Sequence, residues 1–153
     1  MMAFRRWISD WWKRWDAKRY GEIDAAAPLG RRGEQAAARV LRRKGLIVVG
    51  EGESDRGGEI DLIAVDRKGR RVVFVEVKTS ASLKPGNPAE RVDLDKQRRI
   101  ARAALRYLKR QRLLGVATRF DVVAVWWAGG GERPDRIEHY EAAFDSPLQD
   151  SMF

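Results

Sequence analysis

Two apolar runs with five turn-forming residues between them constrain this chain more than any other feature. They are Glu59–Val65 and Arg71–Lys78, separated by Asp66-Arg67-Lys68-Gly69-Arg70. Their richness in Val, Ile and Phe, and a connection this short with glycine near its end, predict two antiparallel strands closed as a hairpin. Both runs are apolar at nearly every position, so the hairpin needs cover on both faces. The remainder of the chain therefore has to supply helices on either side.

Sequence patterns outside the hairpin meet that need. Phe4, Trp7, Ile8, Trp11 and Trp15 recur at helical spacing with Arg5, Arg6, Lys13 and Arg14 between them, which predicts a basic amphipathic helix over 3–19. Gly21 and Pro28 bracket a linker, and the alanine-rich stretch between Gly30 and Gly45 reads as a helix with Ala37, Val40 and Leu41 toward a core. Leu46–Val49 reads as a short strand, and Gly50–Gly58, rich in glycine and charge, as a loop. After a second loop over Ser80–Asn87, Pro88 opens a long helix to about Arg112, with Ile100, Ala103, Ala104, Tyr107 and Leu108 inward. Arg119–Trp127 is a strongly apolar strand broken by Gly129-Gly130-Gly131, and Ile137–Phe144 adds an edge strand or covers the sheet. The order helix, three strands, helix, strand predicts an α/β fold with a small mixed central sheet flanked by helices. At 153 residues the expected organisation is a Trp-rich basic extension and linker over 1–28, one domain over 29–144 and a tail over 145–153.

Strand periodicity then gives the hairpin a chemistry. Side chains alternate between faces, so Glu76 and Lys78 share one, as do Glu59 and Asp61. The two charges of the second strand are expected to leave the core together. Hairpin pairing would set Asp61 beside Glu76 at about 5 Å. Two carboxylates that close repel, and a hard divalent cation on oxygen ligands relieves them, most simply Mg²⁺ (or Mn²⁺). Lys78 would then position or deprotonate a water while the ion stabilises charge on a phosphate. An isolated Glu-x-Lys on a strand is ordinarily a solvated face. Here both acids interrupt apolar runs on adjoining strands, where charge is costly unless it is used.

Charge points to the polymer such a site would act on. The net charge is +9, and residues 21–131 alone, with 23 Lys/Arg against 14 Asp/Glu, carry the same excess. A basic domain suits a polyanion whose phosphates release counterions on binding, nucleic acid being the commonest. The chain has no cysteine, which excludes disulfides, thiolate zinc sites and cysteine nucleophiles. One histidine excludes paired-histidine mechanisms, and neither a P-loop nor a nucleophile elbow occurs. No apolar run approaches a membrane span or a signal segment, so the expected location is cytoplasmic.

Several motifs together resemble a known family. Arg32-Gly33-Glu34 before the alanine-rich helix, Gly58-Glu59-Ile60-Asp61-Leu62-Ile63-Ala64 and Val73-Phe74-Val75-Glu76-Val77-Lys78 are similar to the YraN-like bacterial family. The resemblance continues through Gly86–Glu90, Lys96, Ala103–Leu108, Arg119-Phe120-Asp121 and Ile137-Glu138-His139, covering about 30–144. That family is identified as a branch of the PD-(D/E)XK nuclease superfamily, with a restriction-endonuclease-like core close to Holliday junction resolvases. The resemblance implies that Asp61 and Glu76 hold the metal, that the Val77 carbonyl completes its shell, that Lys78 is the catalytic lysine and that Glu34 supports the site. It also implies a DNA-directed endonuclease, with a homodimer as a further expectation. Ser80 departs from the pattern, since many relatives carry arginine there.

Arg56, Lys84 and Lys96 are further candidates for contact with nucleic acid, each weighed against a merely solvated charge. The tryptophan helix leaves several roles open: packing on its own domain or a second copy, a protein partner, a membrane surface, or base stacking. The expectation is thus a metal-dependent nuclease-like protein acting on DNA. Its alternatives are a nucleic-acid-binding module without turnover and a membrane-surface adaptor.

Overall fold

The computed structural model describes residues 2–12, 22–55, 58–82 and 92–148. Alternation within the hairpin builds two apolar cores, one on each face of a single sheet. In β2 (Gly58–Asp66) and β3 (Arg71–Ser80), Ile63, Val65, Val72 and Phe74 join one buried cluster, and Leu62, Ala64, Val73 and Val75 the other. The antiparallel register sets Leu62 opposite Val75 and Asp66 opposite Arg71. At the turn, Asp66 Oδ1 accepts the Gly69 N–H at 3.0 Å, and the left-handed residue is Arg70 (φ 49°). At Gly69 a Cβ would meet only the ends of the Arg71 and Asp66 side chains, which can swing aside.

Five strands form one sheet in the order β1-β2-β3-β4-β5, the small mixed sheet that the pattern predicts. β1 (Ile47–Asp55) and β5 (Arg136–Phe144) are antiparallel edges, while β4 (Ala117–Trp126) runs parallel to β3. A parallel neighbour requires a crossover, and α3 (Leu94–Arg110) provides it. That helix begins at Leu94 rather than at Pro88, which lies outside the described residues. The Asp93 carboxylate accepts the Lys96 N–H at 2.8 Å and so caps it.

The stretch expected as a glycine-rich loop is largely strand, since β1 continues to Asp55. Its register against β2 slips between Val48 and Gly50, and Gly52 adopts φ 60°. A bulged edge strand tolerates glycine and charge that a central strand would not, which is why the composition imitates a loop.

One face of the sheet is covered by α2 (Leu29–Arg43), whose Ala36, Ala37, Ala38 and Leu41 are buried while Val40 is half-buried. Pro28 precedes its first turn, and Gly45 (φ 86°) lies just beyond its end. The other face is covered by α3 together with α1 (Met2–Trp12). Phe4 and Trp7 of α1 are buried in the cluster that holds Ile100, Ala104 and Tyr107, with Ile8 against it and Arg5 and Arg6 outward. The remainder of the helix expected over 3–19 lies outside the described residues.

Candidate functional site

The hairpin register, continued one step beyond Leu62 and Val75, brings Asp61 against Glu76. Asp61 Oδ2 also accepts the Val77 N–H from the neighbouring strand at 2.8 Å. Glu76 lies on the face covered by α3 and is only 4% exposed, which corrects the expectation that both charges of this strand leave the core. Lys78, one turn of the pleat further on, is the one that reaches solvent, its side chain 32% exposed. Glu76 is buried because α3 closes over it and delivers a second cation. Lys96 Nζ and Lys78 Nζ each lie 3.4 Å from Glu76 Oε1. The other oxygen, Oε2, is buried without a hydrogen-bond partner among the described residues.

Electrostatics at the pair are unfavourable. Burial, followed by the Glu76 carboxylate, pushes the Asp61 carboxyl up to about 8, against the opposing Val77 N–H. Glu34, near the start of α2, joins this field without joining the contact. Burial also raises its carboxyl, Arg31 opposes, and the charges of Glu59 and Glu76 raise it further. Its ion-pair partner is Arg31 at 3.7 Å, which also pairs with Glu51 of β1. Glu34 comes this near because Gly33 has no side chain: a Cβ there would overlap Thr79 at the end of β3. Ser80, the departure from the family pattern, turns inward on the chain, its hydroxyl donating to the Ser82 carbonyl at 2.9 Å.

Of the residues expected at the site, the structure brings Asp61, Glu76, Val77 and Lys78 together and sets Glu34 beside them. Lys96, expected only as a flanking charge, is a direct partner of Glu76. A signal for this is present in the sequence: Lys96 falls four and seven residues before Ile100 and Ala103, on the buried stripe of its own helix. Arg56 and Lys84 lie outside the described residues.

Among the described residues no group of three or more His, Cys, Asp or Glu side chains is arranged to hold a metal. The available donors are two carboxylates and a main-chain carbonyl. That set fits Mg²⁺, which keeps several waters and takes one or two protein carboxylates, and the unpartnered Glu76 Oε2 is a free ligand atom for it.

A second buried carboxylate, Asp121 on β4, has opposite surroundings. Arg119 grips both its oxygens, at 2.8 and 2.9 Å, His139 Nε2 lies 2.7 Å from Oδ2, and the Ala142 N–H donates to Oδ1 at 3.0 Å. Lys44 Nζ lies 3.1 Å from His139 Nδ1. An ammonium can only donate, so Nδ1 accepts and Nε2 carries the proton to Asp121. Burial alone would raise the Asp121 carboxyl, but the hydrogen bonds from His139, Arg119 and Ala142 together hold it below the ordinary value.

Comparison with known sequences returns one consistent family. Residues 33–125 match the model of a family described as "Uncharacterised protein family UPF0102". A UPF0102 protein of Rhodopirellula baltica is 59% identical over 149 residues, covering 97% of this chain and 85% of its own length. Similar proteins of Chlorobaculum tepidum (46% over 125 residues, 80% of this chain and 95% of theirs) and Rhodococcus opacus (44% over 116, 76% and 95%) carry the same family name. The Rhodopirellula match takes in the amino-terminal helix, which the family model leaves out.

Proposed function

The chain belongs to the UPF0102 family, whose members are uncharacterised and which falls within the restriction-endonuclease-like superfamily, and from that premise we propose a divalent-metal-dependent nuclease acting on DNA. The observation that carries this reading is the pair Asp61 and Glu76: two carboxylates in contact at the end of a buried hairpin, one oxygen unpartnered, with two lysines beside them. At neutral pH the raised Asp61 carboxyl keeps a proton against Glu76, and a divalent cation is the ligand that would displace that proton and use both carboxylates.

In this mechanism Asp61 and Glu76 hold Mg²⁺ or Mn²⁺, with the Val77 carbonyl beside them. When bound, the ion supplies charge neutralisation at the scissile phosphate. Lys78 is fixed by Glu76 yet open to solvent, so its ammonium can donate to a water or a phosphate oxygen and orient it for attack. Glu34 adds negative potential from the side of α2 and favours the cation. Lys96 holds Glu76 from the side of α3.

The test is incubation with linear, single-stranded, flapped and four-way DNA plus Mg²⁺ or Mn²⁺, beside a Glu76→Ala variant. Cleavage by the native chain, reduced at least about 100-fold in the variant, is expected. Cleavage that survives the substitution sinks the mechanism.

One observation favours a second reading, a DNA-binding module without turnover. Two ammoniums already sit on Glu76 Oε1, so part of the charge is neutralised by the chain itself. Tight DNA binding with no cleavage in either metal would select it. The membrane-adaptor alternative has less support, because Phe4 and Trp7 are spent on the domain's own core.

A further inference from the structure

Residues 96–112 contain eight Lys/Arg and no Asp/Glu. An amphipathic helix ordinarily mixes signs on its wet side, because like charges three or four apart destabilise it. On α3 the wet side carries Arg99, Arg102, Arg106 and Lys109 at those spacings. Arg99, Arg102 and Lys109 are exposed and have no acidic partner among the described residues, whereas Arg98 pairs with Asp95 at 3.3 Å. Lys109 and Arg110 suit the helix's negative end, but Arg99 and Arg102 lie in its middle, where the dipole explains nothing. The first turn of the same helix touches the candidate site through Lys96 and Glu76. The helix therefore starts at the site, with Lys96 turned inward to Glu76, and the stripe lies on its outer side from the next turn onward.

We infer that the outer stripe of α3 is the docking surface for the phosphate backbone of a DNA duplex flanking the bond at the Asp61–Glu76 site. The inference rests on the nuclease reading for its end point. Arg99 to Lys109 spans about 15 Å of helix axis, the length over which one strand presents four or five phosphates. Duplex is favoured over single strand because the helix offers no exposed aromatic for bases to stack on: its Tyr107 is 2% exposed and packed edge-on against Phe74. Arginine and lysine on phosphate carry no sequence information, so binding along this surface is sequence-independent.

The experiment is fluorescence anisotropy of the full chain on a duplex of about 25 base pairs, without divalent metal, over a series of salt concentrations. The Arg99→Gln/Arg102→Gln/Lys109→Gln variant should bind more weakly, and the slope of log affinity against log salt should flatten by about 3, one for each phosphate that the variant leaves unneutralised. Its thermal unfolding should match or exceed the native chain's, since like-charge repulsion is relieved. A native slope in the triple variant overturns the inference, even if Glu76→Ala abolishes cleavage. A flattened slope with no cleavage by the native chain upholds the surface while the nuclease reading falls. Loss of binding to anionic phosphatidylglycerol vesicles with an unchanged DNA slope assigns the stripe to a lipid surface and also overturns it.

Discussion

Glu76 and Asp121 are buried carboxylates on neighbouring strands, displaced by one residue in register: Val75 pairs with Asp121, and Glu76 with Val122. They face opposite sides of the sheet. Asp121 is satisfied at both oxygens by an arginine fork, a histidine and a main-chain N–H. Glu76 has two lysines on one oxygen, no hydrogen bond to the other among the described residues, and a second carboxyl against it. The same fold thus buries charge in two ways: once with every partner supplied by the chain, and once with an oxygen left for a ligand to engage. The first arrangement stabilises, and the second is where chemistry is to be sought.

Removing the satisfied charge should produce the largest effect. Asp121→Ala leaves Arg119 and His139 facing a gap, and a loss of about 3–5 kcal/mol in chemical denaturation is expected. A loss below about 1 kcal/mol would show that the two clusters do not differ as described.

Neutralising the unsatisfied pair should do the reverse. Because the Asp61 carboxyl is raised from 3.8 to about 8, the folded chain keeps a proton that the unfolded chain has released. Its contribution is complete below the unfolded value and is lost as pH climbs through about 8. Asp61→Asn should therefore stabilise the metal-free protein above pH 8, by about 1–3 kcal/mol, and flatten the fall in stability between pH 3.8 and about 8. Asp121 carries the opposite sign: its lowered carboxyl stabilises above the unfolded value and is lost as pH falls through the folded one. Paired pH titrations of stability for Asp61→Asn and Asp121→Asn should thus lose different limbs of the curve. Loss of the same limb in both would refute the contrast.

A local substitution sharpens the comparison. Gly33→Ala forces α2 away from Thr79 and carries Glu34 with it, at a cost of about 1–3 kcal/mol. Thr79→Ala in the same chain should recover part of that loss, and the Asp121 limb of the pH profile should not move. No recovery would mean that the contact at Thr79 is not what spaces helix and sheet.

Much of the fold is legible in the sequence because it rests on period and turn chemistry. The hairpin, its register and the meeting of Asp61 with Glu76 follow from alternation and a short turn. Glu34 does not follow from pattern: only the family resemblance singles it out, because its nearness depends on a missing methyl at Gly33. The burial of Glu76 escapes the pattern because strand alternation assigns faces but not what covers them, and α3 covers this one. Gly50–Asp55 imitates a loop because an edge strand with a bulge has a loop's composition. The pairing of Asp121 with Arg119, two residues away on one strand, follows from alternation and is the arginine pairing the sequence suggests, but Lys44, His139 and Ala142 reach the cluster from distant parts of the chain, and spacing along the sequence does not encode that meeting.

Both rims of the sheet are irregular. β1 is bulged beside Val48 with Gly52 left-handed, and β5 is bulged opposite Asp121 with Ala142 at φ 47°, its N–H held by that carboxylate. A neighbouring chain that tried to add a strand would meet a bulge on either side, and such interrupted edges resist growth of the sheet into aggregates.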